Sequence, residues 1–159
     1  MARSSSPGCT ARTTLHLVGP RSWTSVPAAL VYDSADPYAV RVRFGDAAET
    51  TDAAGSPDPE DDGGVEWLLS RELLRAGLSG PAGEGDVRIW PTRAAPGVLF
   101  LQLRAPSGEA LFEMSAAVVR DFLRETERLV PTGHESALLQ VDDELSALLQ
   151  GGGPDPTAL

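Results

Sequence analysis

Hydrophobic and polar positions alternate most regularly in the segment YAVRVRF, residues 38–44. Its even-numbered residues, from Tyr38 to Phe44, are large and apolar, whereas Arg41 and Arg43 fall on the opposite face, as the two-residue period of a strand requires. One buried face and one solvated face are typical of an antiparallel sheet. Similar apolar runs predict six further strands, within residues 14–18, 27–33, 65–70, 83–92, 98–106 and 109–115.

Three other segments show helical spacing. Residues 70–77 read SRELLRAG, in which Ser70 is a suitable N-cap and Gly77 a stop signal. Residues 115–131 predict an amphipathic helix, and residues 141–149 predict a second, shorter one. The order of elements predicts an α+β fold, with two antiparallel β-sheets of about seven strands in total, a short helix between them and two C-terminal helices.

A chain of 159 residues is most simply one domain, which we place at residues 13–150. We expect residues 1–12 to form a disordered N-terminal arm and residues 151–159 a flexible tail. Residues 45–64 are acidic and poor in large apolar side chains, which predicts a flexible loop. The aspartates of this loop lack the ligand spacing of a calcium-binding loop, so no metal site is predicted there.

Charge narrows the range of partners. The formal net charge is −10, and all 13 basic residues are arginine. Because nucleic-acid affinity comes mainly from neutralising phosphates, no nucleic-acid partner is expected. No apolar run approaches the roughly 18 residues that span a bilayer, so no direct membrane span is expected. Cys9 is the single cysteine and cannot form an internal disulfide, which predicts an intracellular, cytoplasmic protein.

The sequence shows no set of residues that would support catalysis. His16 lies inside a predicted strand, and His134 lies in a polar loop. No HxxxH, CxxC or GxSxG motif occurs, and the carboxylates Glu109 and Glu113 have no partner of distinct environment, as paired-carboxylate chemistry requires. We therefore expect a protein that is not an enzyme and that has no cofactor.

The aspartates that precede residues 38–44 invite a functional reading, but turn chemistry accounts for them. Asp33 and Asp36 flank a tight connection between two predicted strands, and Pro37 fixes φ without donating a hydrogen bond. Trp67 and Trp90 lie in predicted strands, where tryptophan is usually a core or interface anchor. Stacking of nucleic-acid bases on these rings is the alternative, and it lacks a positively charged groove.

Several stretches are distinctive in their order along the chain: PAALVYDSADPYAVRVRF, VEWLLSRELLRAGL, GEGDVRIWPT, SGEALFEM and VDDELSALL. From about Leu15 to Leu149 they resemble the SsgA-like sporulation and cell-division proteins of actinomycetes. This resemblance implies a Whirly-like fold, similar to that of single-stranded nucleic-acid binders, and assembly into a homotrimer. The resemblance further implies a non-enzymatic role. In this family, SsgB-type members recruit the tubulin-like protein FtsZ to division septa, and SsgA-type members help to position the SsgB-type members. Other paralogues act in spore-wall assembly and autolytic separation.

The resemblance implies partners among FtsZ, other SsgA-like proteins and septal proteins. Two alternative functions remain: a single-stranded nucleic-acid binder, and a paralogue that acts in spore-wall assembly or in the control of autolysis. Residues 45–64 and both terminal segments are longer than the family pattern predicts. No binding set carries over, so the structural or interface candidates are motif positions: Tyr32, Asp33, Asp36, Pro37, Tyr38, Trp67, Arg71, Leu74, Gly85, Asp86, Trp90, Pro91 and Gly108.

Overall fold

The computed structural model describes residues 6–45, 64–136 and 148–149. All seven predicted strands are present in this part of the chain. They form one antiparallel sheet in the order β4-β3-β2-β1-β7-β6-β5. The strands are β1 (Gly8–Val18), β2 (Trp23–Asp33), β3 (Ala39–Gly45), β4 (Gly64–Ser70), β5 (Val87–Pro91), β6 (Val98–Ala105) and β7 (Gly108–Ser115).

The prediction of two separate sheets is wrong for the described residues. Strands β1 to β4 form one meander and β5 to β7 another, as the sequence order suggested. The two meanders join through a short ladder between β1 and β7, in which His16 pairs with Glu113 and Leu17 with Phe112. Because unpaired strand edges leave backbone groups unsatisfied, joining the two meanders removes one edge from each.

The prediction of a disordered arm over residues 1–12 is also wrong from Gly8 onwards. Strand β1 pairs with β2 along its whole length, from Gly8 opposite Asp33 to Val18 opposite Trp23. The residues that begin β1 are small or polar, so they carry little of the apolar alternation from which strands are predicted. Backbone pairing with β2 along the whole segment, together with partial burial of Cys9 and Ala11 against the core, orders this segment. Residues 1–5 lie outside the described part of the chain.

The sheet is strongly curled. The rings of Phe44 on β3 and Phe112 on β7 stack with centroids 5.0 Å apart. Strands β2 and β1 lie between them, so a flat sheet would separate these positions by about 14 Å. The curl gives the sheet a concave face, onto which the apolar residues of the alternating pattern point.

Two helices close one end of this concave face. Helix α1 (Arg71–Gly77) follows β4 directly, and the Ser70 side chain caps it as predicted by accepting a hydrogen bond from the Leu73 amide. Helix α2 (Ala116–Leu129) packs on β1 and α1. Val119 and Phe122 of α2 are buried in the same core as Leu30 and Leu101 of the sheet.

Three of the predicted segments fall mainly outside the described residues. Of the predicted second C-terminal helix, 141–149, only Leu148 and Leu149 are described, and both are helical and exposed. Of the acidic loop 45–64, only the two end glycines are described, and they pair with each other in the β3–β4 ladder. The tail 151–159 lies outside them entirely. Among the described residues, no helix has the length and apolar character needed to cross a bilayer.

Candidate interaction site

The turn between β2 and β3 is built by Asp33 and Asp36. A carboxylate oxygen of Asp33 accepts a hydrogen bond from the Ala35 amide at 2.9 Å, and its backbone carbonyl accepts one from the Asp36 amide at 2.9 Å. The Asp36 carbonyl then accepts from the Ala39 amide at 3.2 Å, where β3 begins. The Ser6 hydroxyl also donates to the Asp33 carboxylate. These are the contacts that the turn interpretation of both aspartates requires.

Two tyrosines flank this turn and have opposite environments. Tyr32 is 1% exposed, and its hydroxyl donates a hydrogen bond to the Pro37 carbonyl at 3.0 Å. Burial raises the pKa of the Tyr32 phenol. Tyr38 is 48% exposed, so the prediction that it points inward with Val40 is wrong. Strand β3 begins only at Ala39, and the turn before it breaks the alternation that would have directed the Tyr38 ring into the core.

Among the described residues, Arg71 is one of the largest fully buried side chains, and it joins three parts of the fold. Its guanidinium donates hydrogen bonds to the Val130 carbonyl at 2.7 Å and to the Thr126 carbonyl at 3.3 Å, at the end of α2. It also donates to a Glu135 carboxylate oxygen at 2.5 Å and lies 5.3 Å from the centroid of the Tyr32 ring. The hydrogen bond from Arg71 lowers the pKa of the Glu135 carboxyl below its ordinary value. Arg71 therefore has a structural role, since both terminal nitrogens of its guanidinium donate to the protein's own groups, whereas its buried Nε has no hydrogen-bond partner among the described residues.

Four other motif positions have structural roles in the fold. Leu74 is fully buried in α1. The Asp86 carbonyl accepts from the Arg104 amide at 2.8 Å, and Gly85 beside it has a φ of 120°, which favours glycine. Gly108 begins β7 and pairs with Ala105 across the β6–β7 turn. These structural roles account for the distinctive motifs, and they identify no binding residue among the four positions.

The two motif tryptophans lie on opposite faces of the sheet. Trp90 is half-buried on the convex face and stacks on Phe100 of β6, with ring centroids 5.7 Å apart. Pro91, the last residue of β5, is also half-buried. Trp67 points to the concave face and packs against the edge of the core. The structure thus does not bring the sequence-predicted candidates together into one site.

The concave face is open at the end opposite the helices. Along β4, exposure rises from 3% at Leu69, through the half-buried Trp67, to 59% at Val65. Along β2 the fully buried Leu30 gives way to the half-buried Val26. The result is an apolar groove with a volume of about 350 Å³. We call it the open-end groove, and its lining includes Leu17, Val26, Phe44, Val65, Trp67 and Phe112.

Sequence reasoning missed the open-end groove for a physical reason. The alternating pattern assigned Phe44 to the buried face and gave Trp67 as a core or interface anchor, but it could not show that the curl places β3 against β7. It also could not show which end of the concave face the helices leave uncovered. The useful signal was the repeated placement of large apolar residues at the strand ends farthest from α1, such as Phe44 and Val65.

The described groups with shifted pKa values, Cys9, Tyr32 and Glu135, lie outside the lining of the open-end groove. Burial raises the pKa of the Cys9 thiol to about 11, and the Glu125 carboxylate adds to this rise. In the described ranges, no group of three or more histidine, cysteine, aspartate or glutamate side chains is arranged to hold a metal ion. The apolar lining of the open-end groove is suited to contact with apolar surface.

Comparison with known proteins identifies a protein family that this chain matches. The family described as Streptomyces sporulation and cell division protein, SsgA, matches residues 26–135. The sporulation-specific cell division protein SsgB of Streptomyces coelicolor is 43% identical over 139 residues, which cover 85% of this chain and 92% of the relative. SsgB of Frankia casuarinae is 41% identical over 145 residues, covering 90% and 92% of the two chains.

Solved structures agree with the sequence matches. A structure of SsgB, described in connection with mutations that correlate to longitudinal cell division during sporulation of Streptomyces coelicolor, superposes with a TM-score of 0.69 at 38% identity, covering 86% of this chain and 99% of the other. An SsgA-like sporulation-specific cell division protein from Thermobifida fusca gives a TM-score of 0.71 at 36% identity, covering 91% and 98%. The chain belongs to the SsgA family of sporulation and cell division proteins, as the resemblance of its motifs predicted.

Proposed function

We propose that this protein is a non-enzymatic, oligomeric adaptor in sporulation-specific cell division, which localises or recruits FtsZ or another septal protein at division septa. The relatives that support this proposal are named sporulation-specific cell division proteins and match most of the chain. The structural observation that carries it is the open-end groove, in which Val65 and Trp67 present apolar surface to solvent. Contiguous exposed apolar surface on a folded domain is typical of a protein-binding site.

The positions of the groups with shifted pKa values favour a binding role over a catalytic one. Tyr32, Glu135 and Cys9 have shifted pKa values, and each lies in a packed or hydrogen-bonded part of the framework. Catalytic groups need shifted pKa values inside a cleft that a substrate can enter. An enzyme of peptidoglycan metabolism would release soluble fragments from purified cell wall, and we expect none.

Localisation in sporulating cells tests the proposal. A fluorescent fusion of the chain, expressed from its own promoter, should form ladders at septa that coincide with FtsZ. Foci spread along the wall, with no ladders, would contradict septal recruitment and support a role in spore-wall assembly or in the control of autolysis.

We further propose that the adaptor is a homotrimer in the cytoplasm. Closed cyclic assembly buries apolar surface that a monomer leaves exposed, and Trp23 is 59% exposed. Static light scattering at micromolar concentration should give three times the chain mass of 16.7 kDa. A mass of one chain at every concentration would contradict this.

Binding of single-stranded nucleic acid is the alternative that the tryptophan-bearing strands raise. A formal charge of −10 opposes it, because phosphates bind where cationic side chains release their counterions. Filter binding of a single-stranded oligonucleotide at low salt should detect only weak, non-specific retention. Tight binding that weakens steeply with salt would contradict the adaptor proposal.

A further inference from the structure

The single sheet has two outer edges, β5 and β4, and the described residues cover only the β5 edge. Ile89 of β5 exchanges two backbone hydrogen bonds with Ala82, at 2.8 and 2.9 Å. The same strand ends at Pro91, which has no N–H to donate. The β5 edge is therefore protected from pairing with a strand of another molecule, as native sheet edges usually are.

The β4 edge has an open row of backbone groups. Among the described residues, β4 pairs only with β3. The Arg71 amide donates to the Tyr38 carbonyl at 2.7 Å, which fixes the direction of the backbone groups along β4. Because these groups alternate between the two sides of an antiparallel strand, those of Trp67 face β3, and those of Glu66 and Leu68 face outwards. Two N–H groups and two carbonyls thus face away from the sheet.

The β4 edge is also accessible. Glu66 is exposed, and Leu68 is 60% exposed. Protected edges commonly carry proline, lysine or a bulge, but residues 65–70 have no proline or lysine and pair with β3 in unbroken register. Glu66 is the one charged residue in this stretch, and its carboxylate lies 2.9 Å from Arg43 of β3. The edge is therefore suited to accept a further strand.

We propose that the outer edge of β4 binds an extended segment of a partner protein as an added antiparallel strand. In this mode of recognition, backbone hydrogen bonds give affinity, and alternate side chains give specificity. Residues of the segment opposite Glu66 and Leu68 form the hydrogen bonds and lie on the convex face. Residues opposite Val65 and Trp67 lie on the concave face, beside the open-end groove that both line, and should be apolar. The inference rests on the adaptor function and deepens it, since it names how a partner is held beside the groove.

Symmetry argues against a second copy of the chain as the occupant. Two β4 edges that pair with each other are related by a two-fold axis, which does not close the three-fold ring of the proposed homotrimer. Pairing of β4 with β5 of another copy could close such a ring, but the outward backbone groups of Ile89 are already bonded to Ala82.

The sequence argues against the chain's own remaining segments as occupants. Residues 46–63 contain two prolines and no valine, isoleucine, leucine or aromatic residue, so their composition disfavours a strand. Residues 141–149 have the apolar spacing of a helix rather than the alternation of a strand. A segment of another protein, with apolar residues at alternate positions, is the occupant that fits the edge.

The probe is a fluorescently labelled synthetic peptide of about eight residues in which valine and threonine alternate. Antiparallel pairing that places the valines on the concave face directs the threonine N–H groups towards β4. Methylating the threonine nitrogens therefore removes the donors that pairing needs, whereas methylating the valine nitrogens removes donors that face away. Anisotropy during titration with the full chain should show saturable binding, which the first change weakens at least about tenfold and the second less than about twofold.

The chain offers a matched pair of variants at Leu68. Leu68→Pro removes an outward N–H that has no partner among the described residues, and an edge strand tolerates proline where the N–H faces solvent. Leu68→Thr removes the same exposed apolar side chain but keeps the N–H and favours a strand. We expect Leu68→Pro to weaken binding of the unmethylated peptide at least about fivefold and Leu68→Thr less than about twofold. Thermal unfolding checks that both variants fold, and the two methylated peptides decide the matter if Leu68→Pro does not.

The assignment would be overturned by no saturable binding of the unmethylated peptide, by equal binding of the two methylated peptides, or by equal binding to the two folded variants. Tighter binding after deletion of residues 137–159 would overturn it in favour of the chain's own C-terminal segment. An oligomer that Leu68→Pro dissociates and Leu68→Thr does not would overturn it in favour of a second copy. Septal localisation of the natural chain is measured separately. Ladders without peptide binding would reject the edge assignment alone, and peptide binding without ladders would reject the adaptor function alone.

Discussion

Arg71 and Glu135 are separated by 64 positions in the chain, yet their side chains meet at 2.5 Å with the arginine 1% exposed. This ion pair ties the segment after α2 to the junction of β4 and α1. A buried charge is tolerated only when it is paired and hydrogen-bonded, and Arg71 satisfies this condition through Glu135 and two carbonyls. The family motif around Arg71 thus has a structural explanation.

Removing this arginine should be costly. Arg71→Met leaves Glu135 and two carbonyls without their donor, and we expect it to lower the free energy of unfolding by about 3 kcal/mol. Arg75→Met, four residues later, breaks a more exposed ion pair with Glu127 and should cost less than about 1 kcal/mol. Urea unfolding of both variants measures the difference. Equal losses would mean that burial of the Arg71 pair has no special weight.

The same pair gives stability a pH dependence. The pKa of Glu135 is lowered from 4.5 by Arg71, so the folded state holds its proton less tightly than the unfolded state does. This contribution is fully present above pH 4.5 and is lost as the pH falls through the folded-state pKa. Glu135→Gln should therefore have a lower Tm than the natural chain at pH 7, and the gap should narrow below about pH 4.5. A gap that is constant from pH 7 to pH 3 would contradict the linkage.

The two tyrosines beside the β2–β3 turn should contribute unequally to the free energy of unfolding. Tyr32→Phe removes the hydroxyl that bonds the Pro37 carbonyl in a buried site, and it should cost about 1–2 kcal/mol. Tyr38→Ala truncates an exposed ring and should cost less than about 1 kcal/mol. Asp36→Asn should also cost little, because asparagine supports similar turns. A large loss of stability in Tyr38→Ala would restore the buried position that alternation had predicted.

Cys9 should be poorly reactive in the folded protein. Its pKa of about 11, against an ordinary 9.0, lowers the thiolate fraction near pH 8 by about a hundredfold. Alkylation by iodoacetamide should therefore be slow in buffer and reach an ordinary rate in urea. Equal rates under both conditions would mean that residues around Cys9 are not held in β1.

Local signals in the sequence predicted local structure well. The alternation around Val42 identified β3, the N-cap residue Ser70 identified the start of α1, and the helical spacing from residue 115 identified α2. These signals depend only on near neighbours along the chain, so they need no knowledge of the tertiary fold. The positions of Asp33 and Asp36 in a turn followed from the same kind of reasoning.

Features that depend on distant parts of the chain were not predicted. The ordered start of β1 depends on pairing with β2, and the single sheet depends on the contact between Leu17 and Phe112. The open-end groove depends on the curl that stacks Phe44 on Phe112. Alternation assigns a residue to a face, but it does not say which strands meet or which part of a face stays uncovered.

Localisation of two variants of β4 in sporulating cells tests the central claim most directly, namely that the protein acts in division by binding partners through the open-end groove. Val65→Arg changes an exposed residue that lines this groove, and Leu68→Arg makes the same charge change at an equally exposed residue on the opposite face of the sheet. Fusions carrying Leu68→Arg should form septal ladders like the natural chain, whereas fusions carrying Val65→Arg, at equal abundance, should be diffuse. Intact ladders in the Val65→Arg strain would contradict the account.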